Sequence, residues 1–393
     1  MIDSLYIAWR YVSFNKIKTG TLIACITLIA FLPLALQVLL AESERQLMSR
    51  AVSTPLVVGA KGSVLDLVMS TLYFDDEAPE PVTMEEVARI EDSELALPIP
   101  VYVRFTARGY PIVGTTLDYF EFRGLETAAG RPLAIVGDAV LGAAVAEELG
   151  LGPGDALVSS PENLFDLAGV YPLKMNVVGV LARSHSSDDL AVFVDLKTAW
   201  IIEGLGHGHE DLVNSRDASV ILERTDRNIS ANAKLRLYTE VSELNLESFH
   251  FHGDRSQFRV TAVIALPTDG KSGTILRGRY VSHDAGTQIV RPAEVIDGLL
   301  QNIFRIKNVI DAVIVLVGLA TILAIILVFA LSLRLRQREI STIFKLGCSR
   351  MTIASLMAAE ICIILVVSSV LCGVMIAGVD QFSHDLVRVA LIR

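Results

Sequence analysis

The largest segment of the sequence lacks cysteine altogether. The chain has four cysteines, Cys25, Cys348, Cys362 and Cys372, and none of them falls within residues 42–305. Disulfide bonds therefore do not hold this segment together. The segment is long enough to bury an adequate hydrophobic core without them.

The sequence also lacks an excess of positive charge. Its formal net charge is −10, and residues 42–305 hold 38 acidic against 23 basic residues. Because an acidic surface repels the phosphate backbone, nucleic acid is excluded as a partner. No Ser/His/Asp set or catalytic pair of carboxylates is recognisable in order and context, so we predict a chain that is not itself an enzyme.

Long apolar stretches are plentiful by contrast. The chain is 52% hydrophobic, with a mean hydropathy of +0.50. Three stretches, Thr19–Ala41, Ala312–Leu333 and Ile361–Val379, have the roughly 20 apolar residues that a membrane-spanning helix needs. The first is much longer than the roughly 7–15 residues of a signal-peptide core, and no clear cleavage site follows it. We therefore predict three spans and an uncleaved first helix.

Lysine and arginine predict the orientation of these spans. Residues 1–18 carry Arg10, Lys16 and Lys18 against one acid, and the loop Arg334–Arg350 carries five bases against one acid. Since cytoplasmic segments are rich in these residues, both face the cytoplasm and the acidic segment lies outside. We expect Arg10, Lys16 and Lys18 to anchor the first helix at the membrane lipid.

The outer segment alternates short helical and strand patterns, which predicts an α+β domain. Thr83 and Glu86 have the spacing of a capping box before a helix, and Gly109 separates two strands. The run "GDAVLGAAVAEELGLGPGDALV" predicts a helix, a turn and a strand. The run "DASVILERTDRNISANAKLRLYTEV" predicts a strand and then a helix with Leu237 and Val241 on one face. The predicted fold class is a helical transmembrane bundle with a large extracytoplasmic α+β domain.

The stretch "ALPTDGKS" fits the loosest form of a nucleotide-binding P-loop, with Gly270, Lys271 and Ser272 at its end. Three features argue against ATP binding. The stretch lies outside the membrane, its best partner strand, ending at Asp195, comes before it, and "GTILRGRY" after it is a poor opening turn of a helix. We expect a glycine-containing turn and no bound nucleotide.

The outer segment contains two His-x-His pairs. His207 and His209 stand in "LGHGHED", and His250 and His252 stand in "SFHFHGD". On a strand, residues two apart share a face and could bind one zinc ion. Carboxylates that could complete the site are Glu210, Asp211 and Asp254. A zinc site and a set of exposed or hydrogen-bonded histidines both stay open.

Two stretches resemble one family of membrane proteins. "AWRYVSFNKIKTGTLIACITLIA" resembles the lead-in and first helix of the MacB/LolCE/FtsX group of ABC transporter permeases, and "RLRQREISTIFKLGCSRMTIASLMAAE" resembles the group's cytoplasmic loop. That loop has the pattern R-x-R-E-I, then L-G-[AC]-S-R, then a helix with a glutamate. The matching residues are Arg336, Arg338, Glu339, Ile340, Leu346, Gly347, Cys348, Ser349, Arg350 and Glu360. "VGDAVLGAAVAEELGLGPGDALV" also resembles the group's extracytoplasmic core domain.

The resemblance implies a function and partners. An ABC ATPase on a separate chain uses ATP and grips the loop, and its motion passes through the helices to the outer domain. A second permease copy or paralogue and a periplasmic adaptor or substrate protein are the other implied partners. The implied location is the bacterial inner membrane, with several spans and the large domain in the periplasm. The implied coupling residues are Arg336, Arg338, Glu339, Ile340, Leu346, Gly347, Ser349 and Arg350.

The corresponding domain plan follows the chain from end to end. It comprises a lead-in at 1–18, spans within 19–41, 306–333 and 351–379, the outer domain at 42–305, the coupling loop at 334–350 and an outer tail at 380–393. The family usually has four spans, so we expect either a truncated or a shortened chain. The cargo stays open among lipoprotein, peptide, amphiphile and metal-linked substrate. Two alternatives are a membrane-anchored regulator of a cell-wall enzyme and a metal-sensing receptor without an ATPase.

Overall fold

A computed structural model defines the fold in two compact units. One comprises Met1–Leu47 and Leu299–Arg393, and the other Met48–Gly298. The structure describes residues 2–75, 79–160, 172–207, 221–225, 228–231, 239–241, 246, 249–251, 253–282, 286–335, 337, 341–342, 345, 347 and 349–391.

Helices follow one another along the described residues in this order. They are α1 (Ile2–Phe14), α2 (Lys16–Ser53), α3 (Val64–Tyr73), α4 (Met84–Glu91), α5 (Leu117–Arg123), α6 (Ala143–Leu149), α7 (Leu196–Glu203), α8 (Gly270–Ser282), α9 (Pro292–Leu335) and α10 (Arg350–Leu391). Short 3-10 helices cover Ser187–Leu190 and Arg255–Gln257 in the described part of the chain. Within the described residues, Thr19–Ser53 and Arg350–Phe382 are long and apolar enough to cross a membrane. The second predicted stretch, Ala312–Leu333, lies inside α9.

The first unit is helical, and α2 packs against α10 in it. The Thr27 hydroxyl donates to the backbone carbonyl of Ser368 at 3.4 Å, and the Ser368 hydroxyl lies 3.5 Å from the carbonyl oxygen of Ile23. Small hydroxyl residues let two apolar helices approach closely and satisfy their own polar atoms at the same contact. Thr27 and Ser368 are accordingly buried.

The second unit is built on one large mixed sheet. In chain order the strands are β1 (Leu56–Ala60), β2 (Val82–Thr83), β3 (Ala96–Ala107), β4 (Tyr110–Thr115), β5 (Thr127–Gly130), β6 (Asp138–Leu141), β7 (Ala156–Val158), β8 (Leu173–Leu181), β9 (Val192–Asp195), β10 (Gly206–His207), β11 (Ile221–Thr225), β12 (Asn228–Ala231), β13 (Thr239–Glu240), β14 (His250–Phe251), β15 (Arg259–Val260), β16 (Ala262–Pro267) and β17 (Thr287–Val290). The main path runs β13-β8-β6-β9-β4-β3-β16-β1-β17, with β5 and β7 paired to β8. Two-stranded pairs join β10 to β14, β11 to β12 and β15 to β2.

Side-chain alternation explains how the sheet buries its faces. Along β8, Leu173, Met175 and Val177 are buried while the residues between them are partly exposed, as expected for a half-covered strand. The central strand β9 buries Val192, Phe193 and Val194 in succession, because structure covers both of its faces.

The predicted capping box at the start of α4 is wrong. Thr83 occupies the N-cap position but its side chain makes no capping hydrogen bond. Glu86 is engaged elsewhere, because it accepts from Arg89 Nη1 at 2.6 Å and from Tyr280 Oη at 2.9 Å. A tertiary contact with α8 therefore takes the carboxylate that the local pattern assigned to the cap.

Two other predicted segments also differ from the structure. The helix and the final strand predicted for the run beginning at Gly137 are confirmed as α6 and β7, but the run opens with the buried strand β6, which lies between β8 and β9 in the sheet. In the segment predicted as strand and helix, the strand is confirmed as β11, and residues 228–231 form the strand β12 paired to it, with Thr225 opposite Asn228. A two-residue connection of this kind favours a hairpin. Residues 232–238 of the predicted helix lie outside the described residues. Val241 is buried, whereas Leu237 lies outside the described residues.

Candidate coupling site at the end of helix α2

The last turn of helix α2 carries a buried arginine. Arg50 belongs to the α+β unit, and its side chain is only 7% exposed. A cation near a helix C-terminus is favoured by the helix dipole. A fully buried guanidinium nevertheless needs a partner for its charge and for its five N–H donors.

Asp188 is that partner. Arg50 Nη1 lies 2.6 Å from Asp188 Oδ2, and Arg50 Nη2 lies 2.9 Å from Asp188 Oδ1. This two-point geometry is the strongest form of an arginine–carboxylate pair. Arg50 Nε donates to the backbone carbonyl of Leu72 at the end of α3. The Tyr119 hydroxyl accepts from Arg50 Nη2 at 2.9 Å and donates to Asp188 Oδ1 at 2.8 Å.

The backbone around Asp188 is held by its own polar residues. Ser186 caps the 3-10 helix and donates its hydroxyl to Asp188 Oδ2 at 2.9 Å. The neighbouring Asp189 carboxylate accepts from the backbone N–H groups of Ser184 and His185, each at 2.8 Å. Gly142 packs against this segment so closely that a Cβ there would lie 2.3 Å from the Asp188 carbonyl oxygen.

A second arginine, which lies at the end of α5, also contacts the C-terminal end of α2. Arg123 donates to the Ser53 hydroxyl at 3.2 Å and to the Thr54 hydroxyl at 2.9 Å. The Thr54 hydroxyl in turn donates to the carbonyl of Arg50 at 2.9 Å. The Arg123 guanidinium also lies 4.6 Å from the centre of the Phe122 ring. The α2 terminus is therefore held by contacts from α3, α5 and the 3-10 helix.

Electrostatics keeps the central pair charged. Burial alone would raise the pKa of Asp188, but the Arg50 charge and the hydrogen bonds from Arg50 and Tyr119 hold this pKa below its ordinary value of 3.8. Burial opposes the charge of Arg50 as well, yet Asp188 raises the pKa of that guanidinium. Burial raises the pKa of Tyr119 to about 12. Burial and the nearby Arg50 charge lower the pKa of Arg123.

These pKa shifts suit a structural contact and do not suit a proton-transfer site. Asp188 stays ionised and Tyr119 stays protonated throughout the physiological pH range, so neither exchanges protons there. Removing one partner of a buried ion pair costs about 3–5 kcal/mol, because the other charge is left in a low-dielectric interior. The cluster of Arg50, Asp188, Tyr119 and Arg123, here called the α2 anchor, therefore binds the helix end firmly to the domain.

Sequence reasoning missed the α2 anchor. Arg50 lies shortly after the first apolar stretch, and Asp188 stands in the polar run "SHSSDD". The one available signal was an arginine in the turn that ends a long helix. It did not identify a partner, because 138 residues separate Arg50 from Asp188.

The predicted coupling loop is described only in part. Arg336, Arg338, Glu339, Ile340 and Leu346 lie outside the described residues. Gly347 has a φ of 95°, the left-handed conformation typical of glycines that end helices. The Ser349 hydroxyl accepts from the Thr352 N–H at 3.1 Å and so caps α10, which begins at the exposed Arg350.

The predicted membrane anchors lie on the first two helices. Arg10 on α1 and Lys16 on α2 are exposed, and Lys18 lies in α2. Apolar neighbours are exposed as well, including Phe14 at 86% and Ile17 at 89%. Basic and apolar side chains together form the surface that a membrane interface binds. Anchoring by these residues stays a prediction.

Two of the four predicted metal-binding histidines are brought together. His207 on β10 lies directly opposite His250 on β14 in the antiparallel register. His209 and His252 lie outside the described residues, as do Glu210 and Asp211. Asp254 caps the 3-10 helix that follows, accepting from the Ser256 N–H at 3.0 Å. Within the described part of the chain, no group of three or more His, Cys, Asp or Glu side chains could hold a metal ion.

The P-loop-like stretch forms a strand followed by a helix. The prediction that no helix opens after it is wrong, since α8 begins at Gly270. Asp269 supplies the reason, because its carboxylate accepts from the Ser272 N–H at 2.6 Å and caps the first turn. That hydrogen bond holds the pKa of Asp269 below its ordinary value. The protein's own carboxylate thus takes the place at the helix N-terminus where a P-loop holds phosphate.

Comparisons with known proteins cover the first unit in part and most of the second. Residues 24–236, more than half of the chain, match the family model described as the MacB-like periplasmic core domain. The periplasmic region of MacB from Actinobacillus actinomycetemcomitans aligns at 10% identity with a TM-score of 0.36, covering 65% of this chain and 98% of that one. The extracellular domain of the noncanonic ABC-type transporter YknZ from Gram-positive bacteria aligns at 11% identity with a TM-score of 0.33, covering 60% and 98%. No curated protein matches the sequence significantly.

Proposed function

Because this chain belongs to the family of ABC transporter permeases that carry a MacB-like periplasmic core domain, we propose that it relays ATP-driven motion from a cytoplasmic partner to its outer domain. The observation that carries the proposal is the α2 anchor. One helix, α2, contains an apolar stretch long enough to span a membrane and ends at a buried ion pair inside the α+β unit.

Motion of a helix reaches a domain only if the helix end is fixed to it. The α2 anchor fixes this end at four points, which are the Asp188 carboxylate, the Tyr119 hydroxyl, the Leu72 carbonyl and the Arg123 guanidinium. Displacing the helix end would separate Arg50 from Asp188 and leave each buried charge without its partner. Because breaking a buried pair costs about 3–5 kcal/mol, the domain moves with the helix and does not separate from it.

Helix α9 provides the second connection, and its polar contacts are weaker. Its first residue, Pro292, suits the first turn of a helix. Glu294 lies 3.1 Å from Arg291 and 3.6 Å from Arg277, but all three side chains are more than a third exposed. Such pairs contribute about 0–1 kcal/mol. Ile296 is fully buried, so this end is held mainly by apolar packing. We assign the firmer coupling to α2.

The same proposal assigns a location and partners to the rest of the chain. The protein crosses the bacterial inner membrane several times, with its outer domain in the periplasm and its basic loop in the cytoplasm. A separate ABC ATPase binds the loop 334–350, and a second permease copy or a paralogue completes the helix bundle. The substrate is a lipoprotein, a peptide, an amphiphile or a metal-linked cargo that is handled on the periplasmic side.

Co-purification tests the proposal directly. The full chain is extracted from its native membrane in mild detergent and captured, and the captured material is assayed for an ATPase subunit in stoichiometric amount. We expect such a subunit, and we expect charge reversal at Arg338 and Arg350 to lower both its recovery and its activity. Lys61→Glu is the matched control, because Lys61 is an exposed base of the outer domain.

Two results would contradict the relay. Failure to recover an ATPase, even with an ATP analogue present, would favour a receptor that works without one. Recovery of an ATPase whose activity is unchanged by reversal at Arg338 and Arg350 would remove the coupling role from the loop.

A further inference from the structure

A polar groove lies on the α+β unit, and none of its residues belongs to the α2 anchor. Its volume is about 420 Å³, and its walls come from helix α4, the 3-10 helix Arg255–Gln257 and helix α8. A volume of this size is within the range of ligand-binding sites, which is about 300–1,000 Å³. The lining includes Glu85, Ala88, Arg89, Asp92, Ser256 and Arg279.

Tertiary contacts hold the walls of the groove together. Gln257 of the 3-10 helix donates from Nε2 to Glu85 Oε1 at 2.7 Å, and strand β15 pairs with β2 directly before α4. Helix α8 is attached through Tyr280, whose hydroxyl donates at 2.9 Å to the buried carboxylate of Glu86. The relative positions of the three walls therefore depend on the fold of the unit.

One face of α4 carries alternating charges along the groove. Glu85, Arg89 and Asp92 follow at positions i, i+4 and i+7, and Asp92 still has helical backbone angles, so the three side chains share a face. At a rise of 1.5 Å per residue, successive charges are about 6 Å and 4.5 Å apart along the axis. The small side chain of Ala88 lies on the same face and leaves its centre open.

The charges on this face are available to a ligand. Arg89 Nη1 donates to Glu86 at 2.6 Å, but the Arg89 side chain is 45% exposed. Among the described residues, the Asp92 carboxylate has no hydrogen-bond or ion-pair partner. Since a negative charge near a helix C-terminus is disfavoured by the helix dipole, a cation supplied from outside would stabilise it. Arg279 of α8 is exposed and adds a second positive charge to the groove.

From this arrangement we propose that the groove binds an extended peptide segment of another protein, in which basic, acidic and basic side chains stand at every second position. Every second side chain of an extended chain points to the same side and lies about 6.6–6.8 Å further along, close to the spacing of the charges on α4. The acidic side chain contacts Arg89 and Arg279, and the basic side chains contact Glu85 and Asp92. The α4 face is exposed from Glu85 to Asp92, so the peptide continues past both ends of the groove.

A peptide titration tests this site. Fluorescently labelled Lys-Ser-Glu-Ser-Lys with blocked ends is titrated with the full-length protein in an uncharged detergent at low ionic strength, and its anisotropy is recorded. The composition-matched control peptide is Lys-Lys-Ser-Ser-Glu, which has the same net charge without the alternation. We expect the alternating peptide to bind about three- to tenfold more tightly, since each exposed ion pair contributes little by itself. High salt should reduce this difference, because it screens exposed charges.

Charge reversal identifies the contacting residue. Asp92→Lys should weaken binding of the alternating peptide by about two- to fivefold. The same variant should prefer a peptide in which one terminal lysine is replaced by glutamate. Glu91→Lys is the matched control, because it changes the net charge equally at an exposed neighbouring position that does not line the groove.

A third variant tests the location without changing charge. Ala88→Gln should weaken binding of the alternating peptide, because the longer side chain fills the centre of the groove. Its melting temperature establishes that the unit is folded.

Several outcomes would overturn the site. These are no binding at low ionic strength, equal binding of the two peptides by the parent, equal weakening by Asp92→Lys and Glu91→Lys, and unchanged binding by folded Ala88→Gln. The site uses no residue of the α2 anchor or of the loop 334–350, so it goes beyond the proposed relay. Its failure would leave recovery of an ATPase unchanged, and failure to recover an ATPase would leave peptide binding unchanged.

Discussion

The α2 anchor makes a quantitative prediction at Asp188. Asp188→Asn keeps the size and shape of the side chain but leaves the buried Arg50 guanidinium without a counter-charge. Breaking a buried pair in this way costs about 3–5 kcal/mol. For a unit of about 250 residues, 1 kcal/mol corresponds to about 2–4 °C in the melting temperature. We therefore expect the melting temperature of the α+β unit to fall by about 6–20 °C.

Intrinsic fluorescence gives an assay specific to this unit. The chain has two tryptophans, and Trp9→Phe leaves Trp200 as the only one. Trp200 is buried against Phe258 with ring centres 4.9 Å apart, so its emission reports unfolding of the α+β unit. Full-length variants in detergent are melted side by side under identical conditions.

A matched control tests whether the burial of an ion pair, and not its short N–O distance, determines the loss of stability. Lys174 and Glu240 also form an ion pair, at 2.7 Å, but their side chains are 26% and 42% exposed. Lys174→Met should cost about 0–1 kcal/mol, because solvent screens a surface pair. If Asp188→Asn lowers the melting temperature no more than Lys174→Met does, the reasoning about the buried charge is refuted.

A double variant distinguishes a pairwise interaction from general damage. Arg50→Met removes the guanidinium, so a second substitution at Asp188 no longer strands a buried cation. We expect the double variant to lose much less stability than the sum of the two single losses, as contacting partners do. Additive losses would mean that the two residues act separately.

Three further predictions concern the same unit. The depressed pKa of Asp188 means that its contribution to stability is complete above its unfolded pKa and is lost as the pH falls through the folded pKa. The difference in free energy of unfolding between the parent and Asp188→Asn, measured by denaturant titration, should therefore be constant from about pH 7 to 5 and shrink below about pH 4. Gly142→Ala should destabilise the α+β unit by about 1–3 kcal/mol, because the new Cβ would overlap the backbone at Asp188. Gly152→Ala is the control, since a Cβ there meets open space. Equal melting temperatures of the two variants would contradict the close approach at Gly142. Asp269→Ala should lower the melting temperature slightly, because the first turn of α8 loses its cap. Lys271→Ala should leave stability and any co-purified ATPase activity unchanged, and a loss of ATP hydrolysis in this variant would instead support nucleotide binding by the P-loop-like stretch.

Much of the fold follows from local patterns. The apolar stretches lie in α2, α9 and α10, and the strand patterns around Gly109 match β3 and β4. The periodicity of apolar residues and the length of an apolar stretch are properties of neighbouring residues, so they can be read directly from the sequence. The family resemblance of the core is of the same kind, and the match over residues 24–236 confirms it.

Local patterns fail where distant residues compete for the same atoms. Glu86 stands at capping-box spacing, but Tyr280 of the distant helix α8 donates to its carboxylate. Residues 228–231 fall in the segment predicted as a strand and then a helix, and pairing with β11 makes them a strand. In both cases the deciding partner is set by the tertiary fold, which overrides a local preference of about 1 kcal/mol.

By itself, the sequence determined the apolar helices, the uneven distribution of charge along the chain and the family. Each of these depends on the composition of a short segment of the chain, and that composition alone sets how favourably the segment transfers from water to lipid. Only the tertiary structure decided that Arg50 meets Asp188 and that His207 lies opposite His250. These pairs join residues far apart in the chain, and a buried charge or a strand register acquires a partner only when the whole sheet is assembled.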